Sequence, residues 1–302
     1  MRYESMHELI GHTPLVRLKN MGVAPEVKIY AKLEMYNPSG SVKDRIGEYM
    51  VAAAEKEGRL KAGGTIIEAT AGNTGLGIAF AALGKGYRVI FTVPTKFSAE
   101  KQALMRALGA EVINTPRAEG MLGAVRKAEE LKSQIEGSIS LEQFKNRYNP
   151  LAHYETTGRE IYDDLDGRLD YLVAGAGSGG TYSGIVRYLK EHNDNIKGVL
   201  ADPEGSTIGG GEHFDYNIEG IGNDFVAETM DMSFVDQVVK VSDDEAFAGV
   251  KRLAAKEGIF AGSSSGATLA AAEKLAASGA KGNIVLVFAD RAERYFSKKI
   301  LA

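Results

Sequence analysis

The chain contains no cysteine, so neither disulfide bridges nor thiolate metal sites can form. It has no apolar segment long enough to span a membrane, and its first residues lack the apolar stretch of a secretory signal peptide. No basic run stands out and the net charge is -4, so nothing indicates binding to nucleic acid. We therefore expect a cytoplasmic protein that binds neither membranes nor nucleic acids.

The composition is that of an ordinary soluble enzyme, with 44% hydrophobic and 25% charged residues, and 302 residues suffice for two lobes. Strand and helix patterns alternate, which predicts an α/β fold with two lobes, each a mostly parallel sheet flanked by helices. Strands are predicted at residues 27–34, 65–69, 88–93, 111–114, 171–174, 196–201, 237–241 and 284–288. Residues 146–150 resemble a crossing between lobes. We predict a large lobe of residues 1–43 and 150–302 and a small, mobile lobe of residues 44–149.

A lysine at a predicted helix start is the first candidate for chemistry. Lys43 follows a turn at residues 37–40 and precedes a helical pattern through Ile46 and Met50. The first turn of a helix carries partial positive charge, which favours the neutral amine over the ammonium. A neutral lysine is a nucleophile that can form a Schiff base with an aldehyde such as pyridoxal phosphate. Taken alone, Lys43 is better explained as a solvated charge after a turn.

Three glycine- or serine-rich turns accompany this lysine. The first, at residues 68–75, joins a predicted strand to a helix, and its backbone N–H groups and hydroxyls suit a carboxylate. Asn73 adds an amide that can reach a cofactor hydroxyl. On its own, this segment is equally compatible with an ordinary strand-to-helix turn.

The second turn, at residues 175–181, lets backbone N–H groups converge on phosphate oxygens at a helix N-terminus. It also leaves a rival open. Gly175, Gly177 and Gly180 satisfy G-x-G-x-x-G, and Asp202 follows after another strand, as in a dinucleotide-binding fingerprint. Such a motif usually opens its domain, whereas this one follows several strands and leaves Lys43 without a role.

The third turn, at residues 261–267, precedes an alanine-rich helix. A serine before a helix is most often an N-cap, and that role is compatible with ligand binding. A neutral serine hydroxyl facing a pyridine nitrogen would not force its protonation, unlike the aspartate of many other pyridoxal enzymes. This difference favours β-elimination chemistry.

Over nearly its whole length the chain resembles the fold-type II pyridoxal phosphate β-synthases, namely cysteine synthase and the catalytic core of cystathionine β-synthase. The motifs that carry the resemblance lie at residues 11–15, 41–45, 70–75, 177–181 and 264–266, in family order. The resemblance implies Lys43 as the Schiff-base lysine, Asn73 at the ring hydroxyl, Ser264 at the pyridine nitrogen, and Gly177, Ser178, Gly179, Gly180 and Thr181 around the phosphate. It also implies that Thr70, Ala71, Asn73, Thr74 and Gln143 hold the amino-acid carboxylate.

Within this family, residues 149–157, 202–206 and 219–225 are more similar to cystathionine β-synthase than to simple cysteine synthases. Two departures stand out. Ala71 replaces the usual serine of the substrate turn, and residues 290–294 replace a Ser-Ser-Gly-Glu-Arg type of ending, which would place the Asp290 carboxylate near the pyridine. The sequence shows neither the haem-binding extension nor the regulatory module of animal members, so we expect neither haem nor adenosyl regulation.

The implied reaction is a β-replacement, in which a thiol replaces the β-substituent of serine or O-acetylserine. Homocysteine would give cystathionine, the outcome that the resemblance favours, and sulfide would give cysteine. With cysteine as donor, hydrogen sulfide would be released. The loop around Gly220 is a candidate for selecting the thiol, although a plain surface turn explains it equally well. A symmetric homodimer is the expected assembly.

Three other functions stay open from the sequence. A nicotinamide-dependent oxidoreductase would follow from the dinucleotide-like motif. A cofactor-binding partner protein without turnover is a second option, since some cysteine synthases dock the tail of serine acetyltransferase, but an intact Lys43 argues against lost catalysis. Threonine and serine dehydratases share this fold type, and the motif matches suit them less well.

Overall fold

The computed structural model describes residues 2–95, 97–298 and 300–301. Its strands are β1 (Leu15–Leu18), β2 (Val27–Leu33), β3 (Thr65–Ala69), β4 (Arg88–Pro94), β5 (Glu111–Thr115), β6 (Tyr171–Ala174), β7 (Lys197–Pro203), β8 (Gln237–Val241) and β9 (Gly282–Phe288). Its α-helices are α1 (Lys43–Lys56), α2 (Asn73–Ala81), α3 (Ala99–Ala107), α4 (Gly120–Gln134), α5 (Tyr148–Ala152), α6 (Arg159–Asp164), α7 (Gly180–His192), α8 (Asp243–Glu257) and α9 (Ser263–Ala277). A π-helical turn (His153–Gly158) joins α5 to α6, and short 3-10 turns complete the described chain.

Six strands form the larger sheet, in the order β1-β2-β9-β6-β7-β8. All neighbours in it pair in parallel except β1 and β2, which are antiparallel. The central strands are apolar because both faces of the sheet are covered. Ile29 and Ala31 of β2 and Ile284 and Leu286 of β9 have no exposed surface. Helix α9 packs against this sheet and contributes to the same core.

Three strands form the smaller sheet, in the order β3-β4-β5, and all are parallel. Its core joins Phe91 and Val93 to Ile46 and Met50 of α1 and to Leu76 of α2, all almost fully buried. Helix α4 packs on the same three strands. This core ties α1, and with it the segment beginning at Lys43, to the smaller sheet.

These two sheets confirm the predicted α/β class with mostly parallel strands flanked by helices. The smaller sheet is built within residues 65–115, and the larger one from residues 15–33 and 171–288. The exact lobe boundaries and the mobility of the smaller lobe stay predictions. Strand β1 was not expected, because four residues are too few for an alternating pattern to be recognised. Within the described residues, no helix has both the length and the apolar character needed to cross a bilayer.

Candidate active site

A cavity lies where the carboxyl ends of β6 and β9 meet the first turns of α1, α2, α7 and α9. Its empty space is about 560 Å³, part of which opens to solvent. Ligand pockets in open parallel sheets lie beyond the carboxyl ends of the strands. The lining residues are Val42, Lys43, Asn73, Ala174, Gly175, Gly177, Ser178, Gly179, Thr181, Gly220, Ile221, Ser264, Thr268, Val287, Ala289 and Asp290.

Lys43 is the first residue of α1 and is half-buried at the cavity wall. Desolvation of its ammonium lowers the pKa from 10.5 to about 8, and the nearby carboxylate of Asp290 partly opposes this effect. The sequence predicts a lowered pKa from the helix terminus, whereas the cause found in the structure is burial. Near pH 8, about half of the Lys43 side chains are therefore neutral amines that can act as a nucleophile or a base.

Asp44 holds the turn that precedes α1. Ser39 donates its backbone N–H to one carboxylate oxygen of Asp44 at 2.6 Å and its hydroxyl to the other. Gly40 adopts a φ of +88°, and its N–H donates to the carbonyl of Asn37 at 2.7 Å. Burial raises the pKa of the Asp44 carboxyl to about 6, while the Ser39 hydrogen bonds act in the opposite direction. The turn thus fixes the position at which Lys43 enters the helix.

Asn73 and Asp290 form a hydrogen-bonded pair beside the cavity. Asn73 Nδ2 donates to Asp290 Oδ2 at 2.6 Å, and the Tyr295 hydroxyl donates to the same oxygen. Arg294 donates to Asn73 Oδ1 and to the carbonyl of Ser39. Asp290 Oδ1 is buried and has no hydrogen-bond partner among the described residues. The amide of Asn73 is therefore held from both ends.

The loop between β6 and α7 is shaped by glycine. A Cβ on Gly177 would lie 2.7 Å from the carbonyl oxygen of Gly220, and a Cβ on Gly180 would lie 2.1 Å from Asn149 Oδ1. Gly179 adopts a φ of +80°, which glycine tolerates far better than other residues. The loop leads into the 13-residue helix α7. A helix N-terminus with closely approaching backbone suits an anion such as a phosphate.

Two hydroxyls of this loop, those of Ser178 and Thr181, also line the cavity. Asn149 Nδ2 donates to Ser178 Oγ at 3.0 Å, and His153 Nε2 lies 3.0 Å from Thr181 Oγ1. His153 is completely buried, and this burial lowers the pKa of its imidazolium well below 6.5. The ring is therefore neutral at neutral pH. Each hydroxyl has a defined partner on the protein side.

The turn after β3 meets Gln143. Thr74 Oγ1 donates to Gln143 Oε1 at 2.6 Å. Glu68 holds the segment before Gln143, because its Oε2 accepts the backbone N–H groups of Leu141 at 2.9 Å and Glu142 at 3.3 Å. Burial raises the pKa of the Glu68 carboxyl to about 7. Glu142 adopts a φ of +53°, which is uncommon for a residue other than glycine, so the backbone just before Gln143 is in a left-handed conformation.

Ser264 lies in the first turn of α9 and lines the cavity. The hydroxyl of its neighbour Ser263 accepts the backbone N–H of Glu219 at 3.0 Å, which fixes the loop that carries Gly220. Gly220 itself adopts a φ of +87° and also lines the cavity. The loop that is a candidate for selecting the thiol therefore borders the same space as Lys43.

The fold brings most of the predicted site residues to one cavity. Those that line it are Lys43, Asn73, Gly177, Ser178, Gly179, Thr181, Gly220, Ser264 and Asp290. Gly180 follows directly as the first residue of α7. Thr70, Ala71, Thr74 and Gln143 do not line it and belong to the neighbouring turn and segment. Their roles in binding stay predictions.

The geometry gives less support to a dinucleotide or a metal ion as the ligand of this cavity. Asp202, which would bind the ribose of a dinucleotide, does not line the cavity. Its Oδ2 instead accepts from the Lys240 ammonium at 2.6 Å and from the backbone of Gly209 at 2.9 Å. The described part of the chain contains no group of three or more acidic or histidine side chains placed to hold a metal ion.

Four residues around the cavity were not identified from the sequence, namely Asn149, His153, Arg294 and Tyr295. Each contacts a predicted site residue or its partner through a side chain. No spacing pattern connects them to Lys43, because the fold alone brings them close. Two sequence signals lay near them. The segment at residues 149–157 contains Asn149 and His153, and the unusual ending at residues 290–294 pointed to Asp290 and not to its neighbours.

Comparisons with known proteins agree on a family. A family model described as pyridoxal-phosphate dependent enzyme matches residues 6–290. The chain is 51% identical over 294 residues to the O-acetylserine dependent cystathionine beta-synthase of Bacillus subtilis (strain 168), covering 97% of this chain and 96% of that protein. It is 45% identical over 299 residues to a cysteine synthase of Helicobacter pylori (strain J99 / ATCC 700824), covering 98% of each chain.

Solved structures give the same answer. The crystal structure of an O-acetylserine dependent cystathionine beta-synthase from Helicobacter pylori superposes with a TM-score of 0.95 at 44% identity, covering 100% of both chains. The family model matches most of the chain, and the relatives are 44–51% identical to it over nearly their whole length. The chain belongs to the pyridoxal-phosphate dependent enzyme family, with a fold-type II architecture and pyridoxal 5'-phosphate as its cofactor.

Proposed function

We propose that this enzyme catalyses a β-replacement in which homocysteine displaces the acetate of O-acetylserine and forms cystathionine. The observation that carries the proposal is the position of Lys43. Its amine, with a pKa lowered to about 8, faces the same cavity as the glycine loop and the neutral hydroxyl of Ser264. The names of the relatives from Bacillus subtilis and Helicobacter pylori support the donor and the product.

The residues around the cavity fit pyridoxal phosphate. The glycine loop and the start of α7 offer backbone N–H groups and two hydroxyls to a phosphate, and added Cβ atoms at Gly177 and Gly180 would collide with the surrounding protein. Asn73 would meet the ring hydroxyl and Ser264 the ring nitrogen. When bound, the cofactor supplies an aldehyde for a covalent link to Lys43 and a ring that accepts electrons from the substrate.

Lys43 has two tasks in this proposal. From its neutral form it would be able to hold the cofactor covalently, and when released as a free amine it would be able to remove the proton from the substrate Cα. The lowered pKa suits both tasks at mildly alkaline pH, since an ammonium can do neither. Thr74 and Gln143, joined by a 2.6 Å hydrogen bond, would hold the substrate carboxylate while this proton moves.

The choice of O-acetylserine over serine follows from the acids available. Acetate leaves as a stable anion, whereas the hydroxyl of serine needs a proton as it leaves. Among the described residues that line the cavity, Lys43 and Asp290 are the ionisable ones. Asp290 Oδ2 accepts hydrogen bonds from Asn73 and Tyr295 and is therefore occupied on the protein side. Lys43 alone would have to protonate the departing hydroxide.

A direct assay tests the proposal. Purified enzyme loaded with cofactor is given each donor, O-acetylserine or serine, with each thiol, homocysteine or sulfide, and kcat/KM is measured for the four pairs. We expect the highest value for O-acetylserine with homocysteine. A higher kcat/KM for O-acetylserine with sulfide would instead identify a cysteine synthase, the second candidate that the 45% identical relative supports. Faster turnover of serine would overturn the donor assignment.

A further inference from the structure

Asn149 is completely buried at the crossing between the two sheets, as the second residue of α5. Its Nδ2 donates one hydrogen bond to the carbonyl oxygen of Gln143 at 2.7 Å and another to Ser178 Oγ at 3.0 Å. The first contact reaches the segment expected to bind the amino acid. The second reaches the loop expected to bind the phosphate. One amide therefore joins two halves of the site.

The chemistry of these partners fixes the direction of both hydrogen bonds. A carbonyl oxygen can only accept, so the nitrogen end of the Asn149 amide must face Gln143. That nitrogen is a donor only, and Ser178 Oγ therefore accepts its second hydrogen. Among the described residues, no acceptor is found for the hydroxyl hydrogen of Ser178, so a ligand can accept it. Ser178 lines the cavity, where a phosphate would accept it.

A second tie runs parallel to the first. Thr229 Oγ1 donates to the carbonyl oxygen of Ser178 at 2.5 Å, and the backbone N–H of Thr229 donates to the carbonyl of Phe144 at 3.3 Å. The loop at Ser178 and the segment at residues 143–144 are thus held at a fixed separation. Asn149 differs from Thr229 because its contact orients the hydroxyl that would meet the phosphate.

We propose that Asn149 is a positioning residue that aligns the Ser178 hydroxyl for the cofactor phosphate and holds the Gln143 segment for the substrate carboxylate. The inference rests on the proposed function. It adds a residue that does not line the cavity and acts on both sites through one side chain.

The test on the cofactor side uses apo-protein and equilibrium dialysis with two ligands, pyridoxal 5'-phosphate and pyridoxal, which lacks the phosphate. We expect Asn149→Ala and Ser178→Ala each to raise the Kd of pyridoxal 5'-phosphate about tenfold or more, as expected for a lost hydrogen bond to a charged group. The double variant should be no more than about threefold worse than either single variant, because Asn149 acts through Ser178. The affinity for pyridoxal should stay within about twofold throughout.

Binding of the amino-acid substrate distinguishes the role of Asn149 from that of Ser178. At saturating cofactor, Asn149→Ala should raise the O-acetylserine concentration that half-saturates the change in the visible spectrum, whereas Ser178→Ala should not. Asn146 provides the matched control, because it lies in the same crossing and its Nδ2 donates to the carbonyl of Leu141 at 2.7 Å without touching the phosphate loop. Asn146→Ala should leave the Kd of pyridoxal 5'-phosphate within about twofold of the wild-type value.

Three results would overturn the inference. The first is an unchanged Kd of pyridoxal 5'-phosphate in Asn149→Ala, and the second is a double variant in which the increase in Kd equals the product of the two single increases. The third is an equal increase in the Kd of pyridoxal. Should Asn149→Ala not fold, Asn149→Leu keeps a similar side-chain size, adds no charge and removes both donors, and it must show the same selective loss for the phosphate-bearing ligand. If the wild-type protein fails to bind pyridoxal 5'-phosphate, the proposed function is wrong. If the wild-type protein binds it and the Asn149 variant binds it with the same Kd, only this inference is wrong.

Discussion

The ammonium of Lys101 on α3 lies 2.8 Å from the carboxylate of Glu219, in the loop just before Gly220. Lys101 is almost fully buried, and its ammonium also stacks over the ring of Tyr295 at 4.4 Å from the centroid. Burial opposes ionisation of Glu219, but the charges of Lys101 and Lys298 keep its pKa below the ordinary value. The pair connects a helix beside the smaller sheet to a loop of the larger one.

Replacing Lys101 by methionine should lower the free energy of unfolding by about 1–3 kcal/mol, because a carboxylate loses its buried partner. Urea denaturation measures the change. Lys298→Met is the matched control, since Lys298 contacts the same carboxylate at 2.6 Å with a more exposed side chain. It should cost less than about 1 kcal/mol. Equal losses in the two variants would contradict the importance of the buried contact.

The lowered pKa of Lys43 predicts how fast the apo-protein binds its cofactor. The neutral amine is the reactive form, and its fraction increases as the pH rises through about 8. The rate at which the visible absorption band develops after mixing with pyridoxal 5'-phosphate should therefore rise from pH 6.5 to 9 with a midpoint near 8. Stopped-flow absorbance measures this rate. A midpoint near 10 would mean that burial does not tune this lysine.

The control for this experiment is Lys43→Ala, which should form no visible band and should show no turnover at any pH. Persistence of both band and turnover in this variant would remove the basis of the cofactor assignment to Lys43.

Glu68 predicts a pH-dependent stability. Its pKa is raised from 4.5 to about 7 in the folded protein, so its favourable contribution is complete below pH 4.5 and is lost as the pH rises through 7. Glu68→Gln cannot ionise and keeps an oxygen that accepts the N–H of Leu141. The variant should therefore be more stable than the wild type by roughly 3 kcal/mol at pH 8, and the difference should largely vanish at pH 5. Urea denaturation at several pH values checks this, and parallel pH profiles would contradict it.

Arg45 predicts a large stability loss close to the active lysine. Its guanidinium is buried and donates two hydrogen bonds to Glu34, each at 2.7 Å, and further ones to Glu160. Arg45→Met leaves the buried Glu34 carboxylate without its cation, so we expect a loss of about 3–5 kcal/mol. Arg88 is the matched control because it makes a similar two-point contact with Glu111 at the surface.

Urea denaturation should show a far smaller effect for Arg88→Met, since exposed ion pairs contribute little. If the two arginine variants lost similar stability, the buried network would have no special role.

Much of the fold was predictable because local patterns agreed with it. The predicted strands at 65–69, 171–174 and 237–241 match β3, β6 and β8, and the lysine expected at a helix start is the first residue of α1. Buried parallel strands produce apolar runs bounded by glycine turns, and such runs can be recognised in the sequence. Helix starts were less accurate. The apolar periodicity of the sequence predicts a helix from about Leu76, whereas α2 begins at Asn73, because small residues in a first turn carry little apolar signal.

The site was predictable only where a residue sits in a recognisable turn. Lys43, Asn73, Ser264 and the 177–181 loop each follow a strand or open a helix, and the topology brings those turns together. The residues that support them cannot be found this way. Arg294 reaches Asn73, and Asn149 reaches Ser178, across long separations in sequence that only tertiary structure closes. Burial around Lys43 was invisible for the same reason.

The pairing of β2 with β9 has a consequence for how the polypeptide acquires its shape during synthesis. Strands β3, β4 and β5 follow one another along the chain, so the smaller sheet can assemble while the ribosome is still translating the second half. Strand β2 instead waits for Gly282–Phe288, which lie far later in the sequence. Until then, β2 has only the short strand β1 beside it, and its other edge is open to chaperones, so nascent chains stalled before β9 should be the aggregation-prone species.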